Sequence, residues 1–140
     1  MPKPAERRFF RADVAVPEAR SFLRHVLSQW DIIDRSDDAL LCLSELTTNV
    51  IRHAVPQGGY FLVAASLIDG RLRVEVHDQS GRLPHINCPD AEDVSGRGLL
   101  LVDALADEWG VQPHVPSGKT VWTEFKIETR QEPASGVIAC

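Results

Sequence analysis

An α+β fold is expected: a two-layer α/β sandwich with a mainly antiparallel mixed sheet and helices on one face. Three observations predict it. Asp69-Gly70 and Pro116-Ser117-Gly118-Lys119 each join two runs of strand-type residues, so hairpins and antiparallel pairing dominate. Two stretches, 17–30 and 37–54, repeat apolar residues at helical spacing. Helices that are apolar on one side need an apolar surface to cover, and a sheet provides it.

Taken in order, residues 7–14 read as a first strand. Pro17 suits the first position of a helix and Glu18 its positive dipole end. That helix runs from 17 to 30, with Ala19, Phe22, Leu23, Val26 and Trp30 on one stripe. Ser36 is the expected cap of a second helix, and Asp37 and Asp38 favour its first turn. Pro56-Gln57-Gly58-Gly59 stops it after about Ala54. Tyr60–Ile68 and Arg71–Asp78 form the first hairpin. Residues 79–97 show no periodicity, and a loop of that length inside one domain is often functional. A third helix is expected over 98–109, with Gly110 as its C-cap. Val111–Val115 and Thr120–Glu128 form the last hairpin. The domain is thus expected over 1–128, with 129–140 a disordered tail.

The chain has 140 residues, 44% hydrophobic and 25% charged, which fits one domain with a core of its own. Its formal net charge is −5 with the two signs interspersed, which argues against nucleic acid as a partner. No apolar run has membrane-spanning length and MPKPAERRFF has no signal-peptide core, so a cytoplasmic location is expected. Cys42, Cys88 and Cys140 are scattered and read as free thiols.

Three polar clusters carry the chemistry. Glu45 and Asn49 lie one helical turn apart, on the side of the 37–54 helix opposite the stripe Ala39, Leu40, Leu43, Leu46, Val50 and Ala54. Glu45 can serve as a general base and Asn49 can give Mg²⁺ a carboxamide oxygen; one such ligand suffices when phosphates and waters complete the octahedron. Asp78 continues the apolar series Leu72, Val74 and Val76 and so points to the core side at the strand end. A carboxylate there needs a donor, and an adenine amine is one. Gly96, Arg97 and Gly98 open into Leu99-Leu100-Leu101-Val102, a glycine-flanked turn feeding a helix N-terminus that offers N–H groups to phosphate. Each pattern alone has an ordinary explanation: a solvated helix face, an Asp that starts a loop, a plain glycine loop. Their order and spacing carry the argument.

Together the segments resemble the GHKL (histidine-kinase-like) ATPase family. SELTTNVIRHA (44–54) is similar to its N box, VEVHDQSG (74–81) to its G1 box, SGRGLLLV (95–102) to its G2 box and GKTVWTEF (118–125) to its G3 box. The resemblance is greatest to single-domain anti-sigma factor serine-protein kinases. It implies ATP and Mg²⁺ as cofactors. Glu45 would be the catalytic base, and Asn49 the magnesium ligand. Asp78, Ser80, Gly81, Gly96, Arg97, Gly98, Leu99 and Thr120 would be nucleotide contacts. Ser80 stands where the G1 pattern has its first glycine. The implied partners are a STAS-type anti-anti-sigma protein, phosphorylated on serine or threonine, a sequestered sigma factor and a second copy in a homodimer. A non-catalytic regulatory switch is the alternative.

Overall fold

The computed structural model describes residues 2–52, 59–78, 99–115 and 117–128. Strand β1 (Ala5–Phe10) leads through a turn into helix α1 (Ala15–Gln29). The strand is shorter than the expected 7–14. The turn bonds Ala12 N–H to Phe10 O and Ala15 N–H to Ala12 O bend the chain first. Pro17 therefore falls inside the first helical turn, where a missing N–H costs nothing. Helix α2 (Ser36–Arg52) begins at Ser36 itself. Arg35, at φ 69°, takes the capping place, and its carbonyl accepts from Ala39 N–H at 3.0 Å.

Strands β2 (Tyr60–Ile68) and β3 (Arg71–Asp78) form the expected hairpin. Asp69 and Gly70 both have positive φ (53° and 75°), as the tightest two-residue turn requires. Residues 99–105 are helical (α3), followed by β4 (Glu108–Pro113) and β5 (Lys119–Lys126). Here the sequence expectation needs correction. The third helix ends before 106, and Gly110 lies within β4, opposite Trp122, instead of capping a helix. A Cβ at Gly110 would lie 2.8 Å from the Trp122 ring, so the glycine is there for close approach. The expected tail, 129–140, lies outside the described residues.

The five strands are ordered β1-β2-β3-β5-β4, and every pairing among the described residues is antiparallel. Alternation sorts the side chains. Phe61, Val63 and Ala65 of β2, Leu72, Val74 and Val76 of β3, and Val121, Thr123 and Phe125 of β5 are all buried. Against this face rest Ala19, Leu23, Val26 and Leu27 of α1 and Leu43, Leu46 and Val50 of α2. The other face carries Arg71, Arg73, Glu75 and His77 of β3 opposite Lys126, Glu124, Trp122 and Thr120 of β5.

Two ends of the sheet matter below. One is marked by the rung Asp78–Lys119 and the other by the rung Arg71–Lys126. Helix α2 starts at the latter, because Arg35 bonds the carbonyls of Leu105 and Lys126. The helix packs on β3 and β5 and is about 25 Å long, roughly the length of those strands. Its second half, with Glu45 and Asn49, therefore lies toward the Asp78 end. Among the described residues no helix is long and apolar enough to cross a membrane.

Candidate functional site

Glu45 and Asn49 are half-buried. A solvated helix face, the ordinary explanation for such a pair, is not what the structure shows for either side chain. The buried arc of α2 includes Cys42 as well as Leu43, Leu46 and Val50, so it is wider on that flank than the leucine stripe implies. Glu45 is close enough to Cys42 to act on it electrostatically. Burial above all, helped by the carboxylates of Asp38 and Glu45, pushes that thiol up to about 12. Cys42 is thus an inert core thiol.

Asp78 is buried at 4% exposure on the helix side of the sheet, as its place in the alternation predicts. Its Oδ1 accepts a hydrogen bond from Arg11 Nη2, and both side chains are 5% exposed. Arg11 follows β1 and is set by its own N–H bond to Gly59 O, 2.9 Å. Gly59 has φ 82°, and a Cβ there would lie 2.9 Å from the Arg11 guanidinium. Glycine thus gives the arginine room to reach Asp78.

Across β3–β5, Lys119 stands directly opposite Asp78, with the buried pair Val76–Val121 next along the same face. Burial holds the Lys119 ammonium below the usual lysine range, and the charge of Asp78 offsets this only in part. The sequence reading passed over both cations. For Lys119 a signal was there: Val121, Thr123 and Phe125 form the buried series of β5, and Lys119 continues it. For Arg11 there was none, since its partner is 67 residues away.

Thr120 is buried at 4% but faces the other way, on the side of the sheet away from the helices. Its hydroxyl lies 3.0 Å from His77 Nδ1 and 2.8 Å from His114 Nε2. His77 Nε2 lies 2.8 Å from Glu75 Oε1, and Arg73 donates to both Glu75 and Glu124 at 2.6 and 2.7 Å. With a neutral His77 ring donating to Glu75, Nδ1 accepts from Thr120, whose oxygen accepts from His114. Burial raises Glu75, but the hydrogen bonds from Arg73 and His77 outweigh it and hold the carboxyl below its usual range. The structure therefore brings Asp78 together with Lys119 and Arg11, and sets Thr120 apart from them.

Leu99 is half-buried in the first described turn of α3. Ser80, Gly81, Gly96, Arg97 and Gly98 lie outside the described residues. Among those described, no three His, Cys, Asp or Glu side chains are grouped to hold a metal by themselves. The half-buried Asn49 carries a carboxamide, a hard oxygen donor of the kind Mg²⁺ takes when phosphates and waters fill its other positions. An open hollow of about 460 Å³ beside β4, lined by Asp103, Asp107, Trp109 and Trp122, includes none of the residues singled out from the sequence.

A model of the histidine kinase-like ATPase domain matches residues 10–125. No curated protein matches the chain. Among solved structures, the crystal structure of the RsbU and RsbW domains of Rv1364c from Mycobacterium tuberculosis is similar in fold. The TM-score is 0.71 and the identity 23%, over 90% of this chain and 33% of that one. This chain thus corresponds to about one third of that protein's resolved length.

Proposed function

The chain belongs to the histidine kinase-like ATPase family, and from that premise we propose that it binds Mg·ATP and phosphorylates a protein hydroxyl. The observation that carries the reading is Asp78, a buried carboxylate on the helix face of the sheet, at the end of the aliphatic series Leu72, Val74 and Val76. An ionised carboxylate only accepts hydrogen bonds, and an adenine amine is a donor that it can take beside Arg11.

In this reading Asp78 accepts from the adenine amine, and Leu99 with the glycine turn before it lies along the phosphates. Asn49 gives its carboxamide oxygen to Mg²⁺. Bound Mg²⁺ offsets the charge that builds on the phosphate oxygens. Glu45 takes the proton of the acceptor hydroxyl as that oxygen bonds to the γ-phosphorus; the bond to the bridging oxygen breaks and ADP leaves. Phosphoryl transfer asks little of the protein beyond positioning and charge, so these few groups suffice. The acceptor is a serine or threonine of a STAS-type anti-anti-sigma protein, and a sigma factor is the sequestered partner. The resemblance of the four sequence blocks to anti-sigma factor kinases supports this assignment, as does the likeness in fold to the structure with an RsbW domain.

Incubation with radiolabelled ATP and STAS-domain proteins tests the reading. Label should pass to the partner, and Glu45→Ala should slow transfer by about a thousandfold while ATP affinity changes less than about twofold. A second reading, a binding switch without catalysis, draws on the ion pair by which Arg11 already engages Asp78. Calorimetry showing no heat at millimolar ATP would leave that second reading standing and remove the first.

A further inference from the structure

We infer that Lys119 is a base-reading residue of the nucleotide site: Asp78 accepts from the exocyclic amine of adenine while the Lys119 ammonium donates to the ring nitrogen beside it. The inference rests on the ATP-binding reading above.

Three features lead to it. First, Asp78 and Lys119 are direct cross-strand partners on the last rung of the helix face, and such partners have Cβ atoms about 5 Å apart. They offer an acceptor and a donor side by side. Second, a lysine ordinarily carries its ammonium out along a flexible stem to water. Lys119 instead stays half-buried, and burial disfavours its charge. Third, Asp78 does not need it. Arg11 already donates to that carboxylate, with both groups nearly sealed from solvent. The Lys119 ammonium beside this ion pair is a donor, and a ring nitrogen is an acceptor for it.

Adenine meets this pair and guanine does not. Adenine presents an amine donor flanked by acceptor nitrogens on both sides; guanine puts an oxygen where the amine was. An acceptor next to a donor, as in Asp78 and Lys119, complements the first and sets oxygen against carboxylate in the second. The same register explains why Thr120 does not share the task. It is one residue further along β5, so it falls on the opposite face, where His77 and His114 engage its hydroxyl.

Calorimetry on the full chain with Mg²⁺ and ADP, 1-deaza-ADP, 7-deaza-ADP or GDP tests the inference. Wild type should prefer ADP to GDP. Lys119→Met should weaken ADP by about tenfold, the worth of a charged hydrogen bond. Lys119→Arg, which keeps a donor, should stay within about threefold of wild type. Lys126→Met, at the other end of the same strand, should match wild type. One deaza analogue should bind wild type about tenfold worse than ADP, yet bind Lys119→Met as well as ADP does. That loss of discrimination is something a purely structural lysine would not produce. Equal ADP affinity in wild type and Lys119→Met overturns the inference, as does a deaza penalty that survives undiminished in Lys119→Met. A wild type that binds no ADP overturns the ATP-binding reading itself, and an Asp78→Asn variant that binds ADP normally overturns the place of Asp78 in it; either takes the Lys119 inference with it.

Discussion

At the Lys126 end of the sheet, Arg35 is held wholly by the chain: by Asp38 and Asp107 and by the carbonyls of Leu105 and Lys126. At the Asp78 end, Arg11 and Lys119 gather on a single buried carboxylate. The first cluster sets Arg35 against two acids and is between a quarter and somewhat over a third exposed. The second places Arg11 and Lys119 around Asp78, with Arg11 and Asp78 at 5% exposure. Arg35 joins the start of α2, the end of α3 and the end of β5, and its guanidinium covers the Phe125 ring at 5.3 Å. It even sits at φ 69°, a backbone state that side chains disfavour by about 1 kcal/mol or more, offset by those bonds. This end closes the fold. At the other end a buried ion pair is joined by a half-buried lysine on the last rung of the same face. Arg35 ties separate elements together, whereas Asp78 and Lys119 set an acceptor and a donor side by side at the end of the sheet.

The contrast can be broken from either side. The largest effect on stability is expected from Arg11→Met, which leaves Asp78 buried beside Lys119 alone of the two cations. Urea unfolding should show a loss of about 3 kcal/mol, and Asp78→Asn added to it should recover part. Next is Asp78→Asn by itself: calorimetry should show Mg·ATP binding weaker by about 2 kcal/mol, since a carboxamide offers one acceptor oxygen where the carboxylate offers two. Arg35→Met should cost about 2 kcal/mol of stability in the same urea assay, yet leave ATP affinity unchanged. An affinity change there would erase the distinction between the two ends.

The smallest effect is in pH. The Lys126 backbone N–H, and then Arg35, hold the Asp107 carboxyl below its usual range. Its folded value lies under its unfolded one, so the stability it contributes is present above about pH 4. That contribution disappears as pH falls through the folded value. Because Asp107 is nearly a third exposed, it amounts to less than about 1 kcal/mol. Asp107→Asn should flatten this part of an acid unfolding profile.

Much of the fold was legible because its signals are local. The Asp69-Gly70 turn and the strict alternation of 71–78 were enough for the hairpin, and the same alternation put Asp78 on the buried side. Other positions depend on where distant parts meet. Gly110 looked like a helix end because a glycine after an apolar helical run usually is one. In fact the Trp122 ring takes the space of its side chain. Thr120 is a nucleotide contact by the resemblance of the G3 block, and the β3–β5 register places it on the face away from Asp78. Glu45 and Asn49 lie on the side away from the leucines, and the buried Cys42 on their flank leaves them half-buried there.

By itself the sequence determined the kinds of element, their order, and the four blocks by which the family is recognised, because periodicity, turn chemistry and short motifs act over a few residues. Tertiary structure alone decided which charges share a place. Arg11 reaches Asp78 across 67 residues, and Lys119 rather than Thr120 stands beside it through the pairing of two strands. Strand alternation has a period of two, so one step of register exchanges the faces of every side chain, and the partner strand sets that step.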